Sequence, residues 1–293
     1  MDVTITNSVL VRPARDTSSE EIWLSNADLI LTKCYACTTY IYRSIEEPDI
    51  FTDSNIEDLG DFSSVSKLSS LAITVDCTQS ITSLPLLLYQ VTKFRCGGVA
   101  IGVAINHIIA DGMSSLHFVN TWCDLAHGLD VMVHPYLDRT LLQARNRPET
   151  FFPHLDCAYL FQHSLKRFRL TKEQLNCLKE KARENSSKEA FTTFIALSAH
   201  IWKCACISGN LLKQQETKLY IPINGRERVH PVLPCGYFAN FGQGKPLFMG
   251  VQKNAPEGYC FIKPNSEDDG SLIIEMTLRS DRMDRFRKLL YQF

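Results

Sequence analysis

The sequence has no apolar run long enough to cross a bilayer and no excess of charge of either sign. Its longest apolar stretches, such as residues 84–91, are far shorter than the roughly 20 residues that a membrane helix needs. The 31 lysine and arginine residues nearly balance the 32 aspartate and glutamate residues, which gives a formal net charge of -1. Nucleic acid and anionic membranes attract strongly basic proteins, so neither is expected as a partner.

The beginning of the chain lacks the basic flank and the apolar core of a secretory signal peptide. It shows a strand-like pattern over residues 3–11, and a cytoplasmic protein is expected. The composition agrees, since 45% hydrophobic and 22% charged residues are typical of an ordinary soluble globular protein. With 293 residues the chain can bury one large core or two modest ones.

The 11 cysteines are odd in number and scattered, which argues against a disulfide framework. Cys34 and Cys37 form a CxxC pair, yet no second CxxC lies at the spacing of a zinc site. Cys204 and Cys206 lie in an apolar helical run, where residues two apart point to different sides. We therefore expect reduced, buried thiols and no metal site.

Residues 97–128 carry the strongest pattern in the sequence. Small and β-branched apolar residues after a pair of glycines predict a buried strand. An apolar stripe then predicts an amphipathic helix through Leu116, Val119, Trp122, Leu125 and Ala126. Between the two, HIIADG places His107 on a turn, with Asp111 four residues later and Gly112 directly after it. A histidine that is oriented by such a turn can act as a general base.

Two observations leave a structural role for His107 open. The same spacing recurs at His134 and Asp138, where no buried strand precedes the histidine and no glycine follows the aspartate. A histidine in a turn or core is also often a hydrogen-bonded structural residue. We interpret His200, which lies inside an apolar helical run, as a packed histidine of this kind.

Periodicity predicts further elements on both sides of this stretch. Strands are expected over residues 35–42, 84–96, 220–224 and 272–278. A helix opens at Thr171, and Gln174 completes a capping box. Its apolar stripe consists of Leu175, Leu178 and Ala182. The next helix, over about residues 190–206, is apolar nearly all round, so we expect it to lie in the core.

The HIIADG turn after the strand GGVAIGVAIN resembles the HxxxDG motif of the plant BAHD acyl-CoA-dependent acyltransferases. The likeness continues in order through VRPARDTSSEEIWLSNADLIL, LLLYQVTKFRCGG, SSLHFVNTWCDLAHG, YLDRTLLQAR, TKLYIPINGRERVHPVLPCGYFAN and SLIIEMTLRSDRMDRFRKLL. Within the family, the chain most resembles the hydroxycinnamoyl-CoA shikimate/quinate hydroxycinnamoyltransferases and the related rosmarinate and spermidine enzymes. Condensation-type and chloramphenicol-acetyltransferase-like enzymes share the HxxxD turn, but the flanking segments favour the plant family.

The resemblance implies an α/β fold with the two-domain, chloramphenicol-acetyltransferase-like architecture, in which each half is a mixed sheet with helices on it. Residues 1–160 would form the N-terminal half with the HxxxDG turn, and residues 161–293 a much reduced C-terminal half. Two family segments are missing from the chain. A helix and two strands are absent between residues 46 and 70, and GYFAN runs directly into FGQGKP, two segments that a long part of the C-terminal domain separates in relatives.

The implied reaction is acyl transfer from a CoA thioester to a hydroxyl or an amine. The donor would be an aromatic hydroxycinnamoyl-CoA, and the acceptor a small molecule such as shikimate or quinate. His107 would be the general base, while Asp111 and Gly112 would hold its turn in shape. The resemblance implies no metal and no cofactor beyond the acyl-CoA co-substrate, and it implies a monomer.

The second family motif, DFGWG, is altered in this chain. The resemblance places Asn240 at its aspartate, Gly242 and Gly244 at its glycines, and Tyr237 in the preceding segment that borders the family's tunnel. In relatives the aspartate pairs with an arginine in the region matched by residues 225–228, and we assign that arginine as Arg226. With asparagine at position 240, Arg226 is expected to lose its charged partner.

The missing segments leave a second hypothesis from another class. The chain would then be a non-catalytic remnant, from a degenerate copy or an incorrect gene structure, that at most binds CoA esters. Removing strands exposes unpaired sheet edges, and a tunnel between domains cannot form when one wall is largely gone. Both hypotheses remain open on the sequence alone.

Overall fold

The computed structural model describes residues 3, 5–14, 16, 24, 28, 34–43, 55–60, 62, 68–76, 79–135, 163–184, 191–212, 214–226, 246, 248–251, 257–265 and 267–293. The chain divides into two compact units. Unit 1 comprises Met1–Leu59, Ser66–Cys157 and Asn224–Gln252, and unit 2 comprises Gly60–Val65, Ala158–Ile223 and Lys253–Phe293. Unit 1 is thus built from three stretches of the chain, the last of which is Asn224–Gln252, and the predicted halves 1–160 and 161–293 stay a prediction.

Within the described ranges the fold contains both strands and helices. The strands are β1 (Tyr35–Tyr42), β2 (Leu87–Lys93), β3 (Val99–Asn106), β4 (His163–Leu170), β5 (Phe248–Val251), β6 (Cys260–Pro264) and β7 (Leu272–Arg279). The α-helices are α1 (Gly112–Ala126), α2 (Lys172–Glu184), α3 (Thr193–Ser208) and α4 (Ser280–Leu290). Short 3-10 helices span Ile56–Leu59, Ser69–Leu71 and Ile81–Ser83. This confirms the α/β class, and the strand pairs among these elements are antiparallel.

The sheet of unit 1 has the strand order β2-β3-β1-β5, so that β3 is a central strand. A tight turn joins β2 to β3, in which Gly97 adopts a φ of 78°, a conformation that glycine adopts readily. Alternate residues of β3 pack with α1 in one apolar cluster, whose members include Ile101, Val103, Val119 and Cys123. The continuous apolar pattern of β3 is explained by burial on both faces.

Helix α1 buries only part of the stripe that the sequence predicts. Val119 and Cys123 are buried, and the ring of Trp122 meets that of Tyr89 edge to face at 5.5 Å. Leu125 is 52% exposed, so the C-terminal end of the predicted stripe is not buried.

The sheet of unit 2 has the order β4-β7-β6, and helices α2, α3 and α4 share one core with it. The predicted capping box is confirmed, since the Thr171 N–H donates to Gln174 Oε1 at 2.9 Å and the Gln174 N–H donates to Thr171 Oγ1 at 3.3 Å. Helix α3 packs in the core as predicted, but only along one face. Ile201 is buried, but Phe194 and Ile195 are 49% and 52% exposed.

Two predicted strands are not found. Of the strand predicted over residues 3–11, the described residues 3 and 5–11 form no strand, and Val9 and Leu10 are 71% and 85% exposed. The segment expected as a strand over residues 220–224 also has none, and Ile223 is 65% exposed. Residues of high β propensity become a strand only where a neighbouring strand completes the hydrogen-bond ladder.

None of the helices in the described ranges combines the length and the apolar character that a membrane crossing requires.

Candidate active site

His107 is the first residue after β3, at the point where the buried strand ends. The ladder between β3 and β1 continues one step beyond the strand, because the His107 N–H donates to the Cys34 carbonyl at 2.9 Å. The chain then reverses, and the Ile109 N–H donates to the Asn106 carbonyl at 3.1 Å. The buried strand and this turn together position a half-buried imidazole.

The hydrogen bond of the His107 ring defines its neutral tautomer. Nδ1 lies 3.1 Å from the Ala110 carbonyl oxygen, which can only accept a hydrogen bond. Nδ1 therefore carries the proton in the neutral ring, and Nε2 has the lone pair. Burial lowers the pKa of His107 below its usual value, although the Ala110 hydrogen bond and the Asp111 charge oppose this effect. A neutral ring with a free Nε2 lone pair can accept a proton.

Asp111 begins helix α1 as its N-cap. Its Oδ1 accepts the Ser114 N–H at 2.8 Å, which satisfies one of the free backbone donors of the first turn. The carboxylate also binds Arg226 through two contacts, from Nη1 to Oδ2 at 2.8 Å and from Nη2 to Oδ1 at 2.7 Å. Burial raises the pKa of Asp111, but the hydrogen bonds from Arg226 and Ser114 outweigh it and lower the pKa to about 2. Asp111 is therefore ionised at neutral pH.

The expectation that Arg226 lacks a charged partner is wrong. Arg226 pairs with Asp111 and also donates from Nη2 to Ser114 Oγ at 2.8 Å. The stretch that starts at Asn224 belongs to unit 1, as does α1. A bidentate contact between a guanidinium and a carboxylate is one of the stronger polar contacts in proteins. The sequence contained a signal for this pairing. An aspartate that caps a helix uses one oxygen for the cap, and its other oxygen can still accept a hydrogen bond from an arginine.

The remaining predicted site residues fall into two groups. Gly112 is the first residue of α1, its φ is outside the left-handed region, and an added Cβ would meet nothing within 4 Å. Neither backbone strain nor lack of space therefore requires glycine at that position. Tyr237, Asn240, Gly242 and Gly244 lie outside the described residues, and their roles stay predictions.

The other two candidate histidines differ from His107 in their surroundings. His134 is exposed at a position outside the regular elements, and Asp138 lies outside the described residues. His200 packs in unit 2, where its Nε2–H donates to the Leu290 carbonyl at 3.0 Å and its ring lies 5.4 Å from that of Phe293. The prediction of a packed His200 is confirmed.

The structure leaves the CxxC cysteines as thiols. Among the described residues, neither this pair nor Cys204 and Cys206 form disulfides. Among the residues that the structure describes, no group of three or more histidine, cysteine or acidic side chains is arranged to hold a metal ion.

Comparison with known proteins points to one family. The profile of the Transferase family matches residues 50–241. The chain is 28% identical to the shikimate O-hydroxycinnamoyltransferase of Nicotiana tabacum, and 27% identical both to a hydroxycinnamoyl-CoA:5-hydroxyanthranilate N-hydroxycinnamoyltransferase of Avena sativa and to the rosmarinate synthase of Plectranthus scutellarioides. Each match covers 100% of both chains. The tobacco alignment is 435 positions long, 142 more than the 293 residues of this chain, as expected if internal segments are missing.

Solved structures show the same fold at low sequence identity. Vinorine synthase superposes with a TM-score of 0.63 at 17% identity, covering 93% of each chain. F. sporotrichioides TRI101, complexed with coenzyme A and T-2, superposes with a TM-score of 0.58 at 13% identity, covering 90% of this chain and 96% of that one. Three observations therefore support the same family: the HxxxDG turn after a buried strand, the fold, and the family match over most of the chain. The protein belongs to the Transferase family, that of the BAHD acyltransferases.

Proposed function

We propose that this protein transfers a hydroxycinnamoyl group from its CoA thioester to a hydroxyl or an amine of a small acceptor such as shikimate or quinate. His107 is the general base. The observation that carries the proposal is the His107 ring, held through Nδ1 by the Ala110 carbonyl so that Nε2 keeps its lone pair. The names of the relatives support the donor, and they include both an O-transferase and an N-transferase.

In the proposed reaction, Nε2 of His107 takes the proton of the acceptor hydroxyl or amine. The freed oxygen or nitrogen attacks the thioester carbonyl carbon, and the carbonyl electrons move to its oxygen. When that tetrahedral intermediate collapses, the carbonyl re-forms and the C–S bond breaks. The leaving sulfur takes the proton from His107, so that CoA departs as its thiol and the ring is neutral again. The lowered pKa keeps His107 neutral at pH 7, which is the form that accepts a proton.

Asp111 takes no part in proton transfer in this proposal. Its carboxylate is engaged by the Ser114 N–H and by the Arg226 guanidinium, whereas the contact to the His107 ring comes from the Ala110 carbonyl. Asp111 and Arg226 therefore hold the turn and the start of α1 in position.

The test is to compare His107→Ala with His134→Ala as a matched histidine control. Full-length proteins are given p-coumaroyl-CoA with shikimate, quinate or spermidine, and the release of CoA thiol is followed. His107→Ala should lose about 10²–10⁴-fold in rate and retain CoA-ester binding by calorimetry, and His134→Ala should behave as the wild type. Turnover retained by His107→Ala would contradict the role of the base.

The same assay separates the enzyme from the remnant. A wild-type protein that shows a cooperative thermal transition and binds p-coumaroyl-CoA, but releases no thiol with any acceptor, would be the inactive family member. Three further expectations stay predictions: a monomeric state, a cytoplasmic location, and the lack of a metal or further cofactor. Sedimentation would test the monomeric state, and turnover in the presence of a chelator would test the lack of a metal.

A further inference from the structure

Asn106, the last residue of β3, makes several hydrogen bonds around the His107 turn. Its side chain is fully buried. Its backbone N–H donates to the Leu86 carbonyl at 2.9 Å, and its carbonyl accepts the Ile109 N–H at 3.1 Å. Its side-chain Oδ1 accepts the Ile108 N–H at 3.0 Å. One buried residue thus binds two successive amides of the turn that follows it.

The amide of Asn106 is costly to bury at this position. Within the described part of the chain, its Nδ2 has no hydrogen-bond partner although it is shielded from solvent. A buried, unpaired amide donor costs about 1–3 kcal/mol. An apolar residue such as those that fill the rest of β3 would avoid this cost but could not bind the Ile108 N–H. The hydrogen bond that Oδ1 accepts from the Ile108 N–H is therefore what Asn106 provides and an apolar residue cannot.

The bonds made by Asn106 act on the segment that orients the His107 ring. Ile108 and Ile109 lie between His107 and Ala110, whose carbonyl accepts from Nδ1. Binding both intervening amides to Asn106 fixes the path of the backbone between the ring and its acceptor. If Ile108 rotated, the Ala110 carbonyl would move away from Nδ1, and the ring could exchange its proton between the two nitrogens.

We propose that Asn106 is a positioning residue for acyl transfer: its side-chain oxygen holds the turn that keeps the His107 proton on Nδ1 and the lone pair on Nε2. The proposal rests on the proposed role of His107 as base. It extends that role to a residue that does not touch the reacting atoms and acts through the turn.

The experiment uses the matched pair Asn106→Ser and Asn106→Ala in the full chain. Both substitutions shorten the side chain, and they differ in a single hydroxyl. A serine hydroxyl can accept the N–H two residues further on, as Asn106 does, and alanine cannot. A role in packing alone predicts the same behaviour for both variants, whereas a role through the oxygen predicts rescue by serine.

The first readout is the tautomer of His107, measured by nitrogen NMR on histidine-labelled protein at a pH where the ring is neutral. The signal is assigned by its loss in His107→Ala. Wild type and Asn106→Ser should carry the proton on Nδ1, and Asn106→Ala should show a substantial Nε2–H population. The second readout is turnover, where Asn106→Ala should lose about 10²-fold in kcat with little change in KM, and Asn106→Ser should stay within a few-fold of the wild type.

The proposal is overturned if wild-type His107 carries its proton on Nε2, or if Asn106→Ala keeps the wild-type tautomer. If Asn106→Ala does not fold, Asn106→Asp takes its place, since it keeps the Oδ1 acceptor and the shape of the side chain. Asn106→Asp should retain the Nδ1–H tautomer, and loss of that tautomer would contradict the proposal. A wild-type protein without turnover would contradict the proposed function. The tautomer measurement would still show whether Asn106 holds the His107 proton on Nδ1.

Discussion

At the scale of single residues, one carboxylate organises the surroundings of the candidate base. Asp111 caps α1 through the Ser114 N–H and pairs with Arg226 through both of its oxygens. Its side chain is 57% exposed and that of Arg226 is 20% exposed, so water weakens the ion pair. The helix cap and the bidentate geometry of the guanidinium–carboxylate contact therefore stabilise the start of α1 more than the charge alone does.

A double-mutant cycle with Asp111→Asn and Arg226→Gln tests this arrangement. Asparagine keeps an oxygen for the cap and loses the charge, so Asp111→Asn should cost about 1 kcal/mol or less in the free energy of unfolding. The double variant should lose less than the sum of the single variants, with a coupling of about 0.5–1 kcal/mol in urea unfolding. Asp111→Asn should also slow turnover. Purely additive losses, or a slow enzyme of full stability, would contradict the supporting role.

At the scale of elements, β3 carries His107 to its position because both faces of the strand are buried. Gly102 lies at its centre, where a Cβ would come within 2.8 Å of the Leu71 carbonyl oxygen. The strand and the 3-10 helix Ser69–Leu71 can therefore approach this closely only when residue 102 has no side chain. This constraint is one of space and needs no unusual backbone conformation.

The spatial constraint predicts that Gly102→Ala lowers the free energy of unfolding by about 1–3 kcal/mol, because a backbone oxygen must move to admit the methyl group. Gly112→Ala is the matched control, since a Cβ there meets nothing within 4 Å. That control should change stability by about 0.5 kcal/mol or less, or increase it slightly, because alanine favours a helix. Equal losses in chemical denaturation would show that crowding at Leu71 is not the cause.

At the scale of the whole molecule, each of the two units contains a half-buried histidine whose pKa is lowered. Burial is the main cause for His107 in unit 1 and for His200 in unit 2. Each folded-state pKa lies below the unfolded value, so the unfolded chain binds protons more readily than the folded one. The contribution of both histidines to the free energy of unfolding is therefore fully present above pH 6.5 and is lost as the pH falls below that value.

Thermal melting between pH 8 and pH 5 should therefore show a fall in Tm that begins near pH 6.5. His107→Gln and His200→Gln should each flatten the curve, and the double variant more so, because glutamine does not titrate. His134→Gln changes an exposed histidine and serves as the control. A wild-type Tm that stays constant or rises across this range would contradict the predicted sign.

The sequence by itself determined the features that depend on neighbours along the chain. The strand Tyr35–Tyr42, the buried strand before His107 and the helix after Asp111 follow from periodicity, and the cap of α2 follows from two residues three positions apart. The HxxxDG turn and its flanking segments were sufficient to identify the family. Each of these patterns depends only on residues close together in the sequence, so it can be recognised without knowledge of the fold.

The tertiary structure alone decided which extended segments have a partner and which side chains meet. Residues 3–11 and 220–224 have strand-like composition, yet a ladder requires a second strand that no local pattern specifies. The pairing of Asp111 with Arg226 joins residues 115 positions apart. The contact from Asn106 to Ile108 is local, but its value for His107 depends on the complete burial of Asn106 by the surrounding structure. Burial and long-range contact are properties of the folded chain, because they depend on which distant segments pack together.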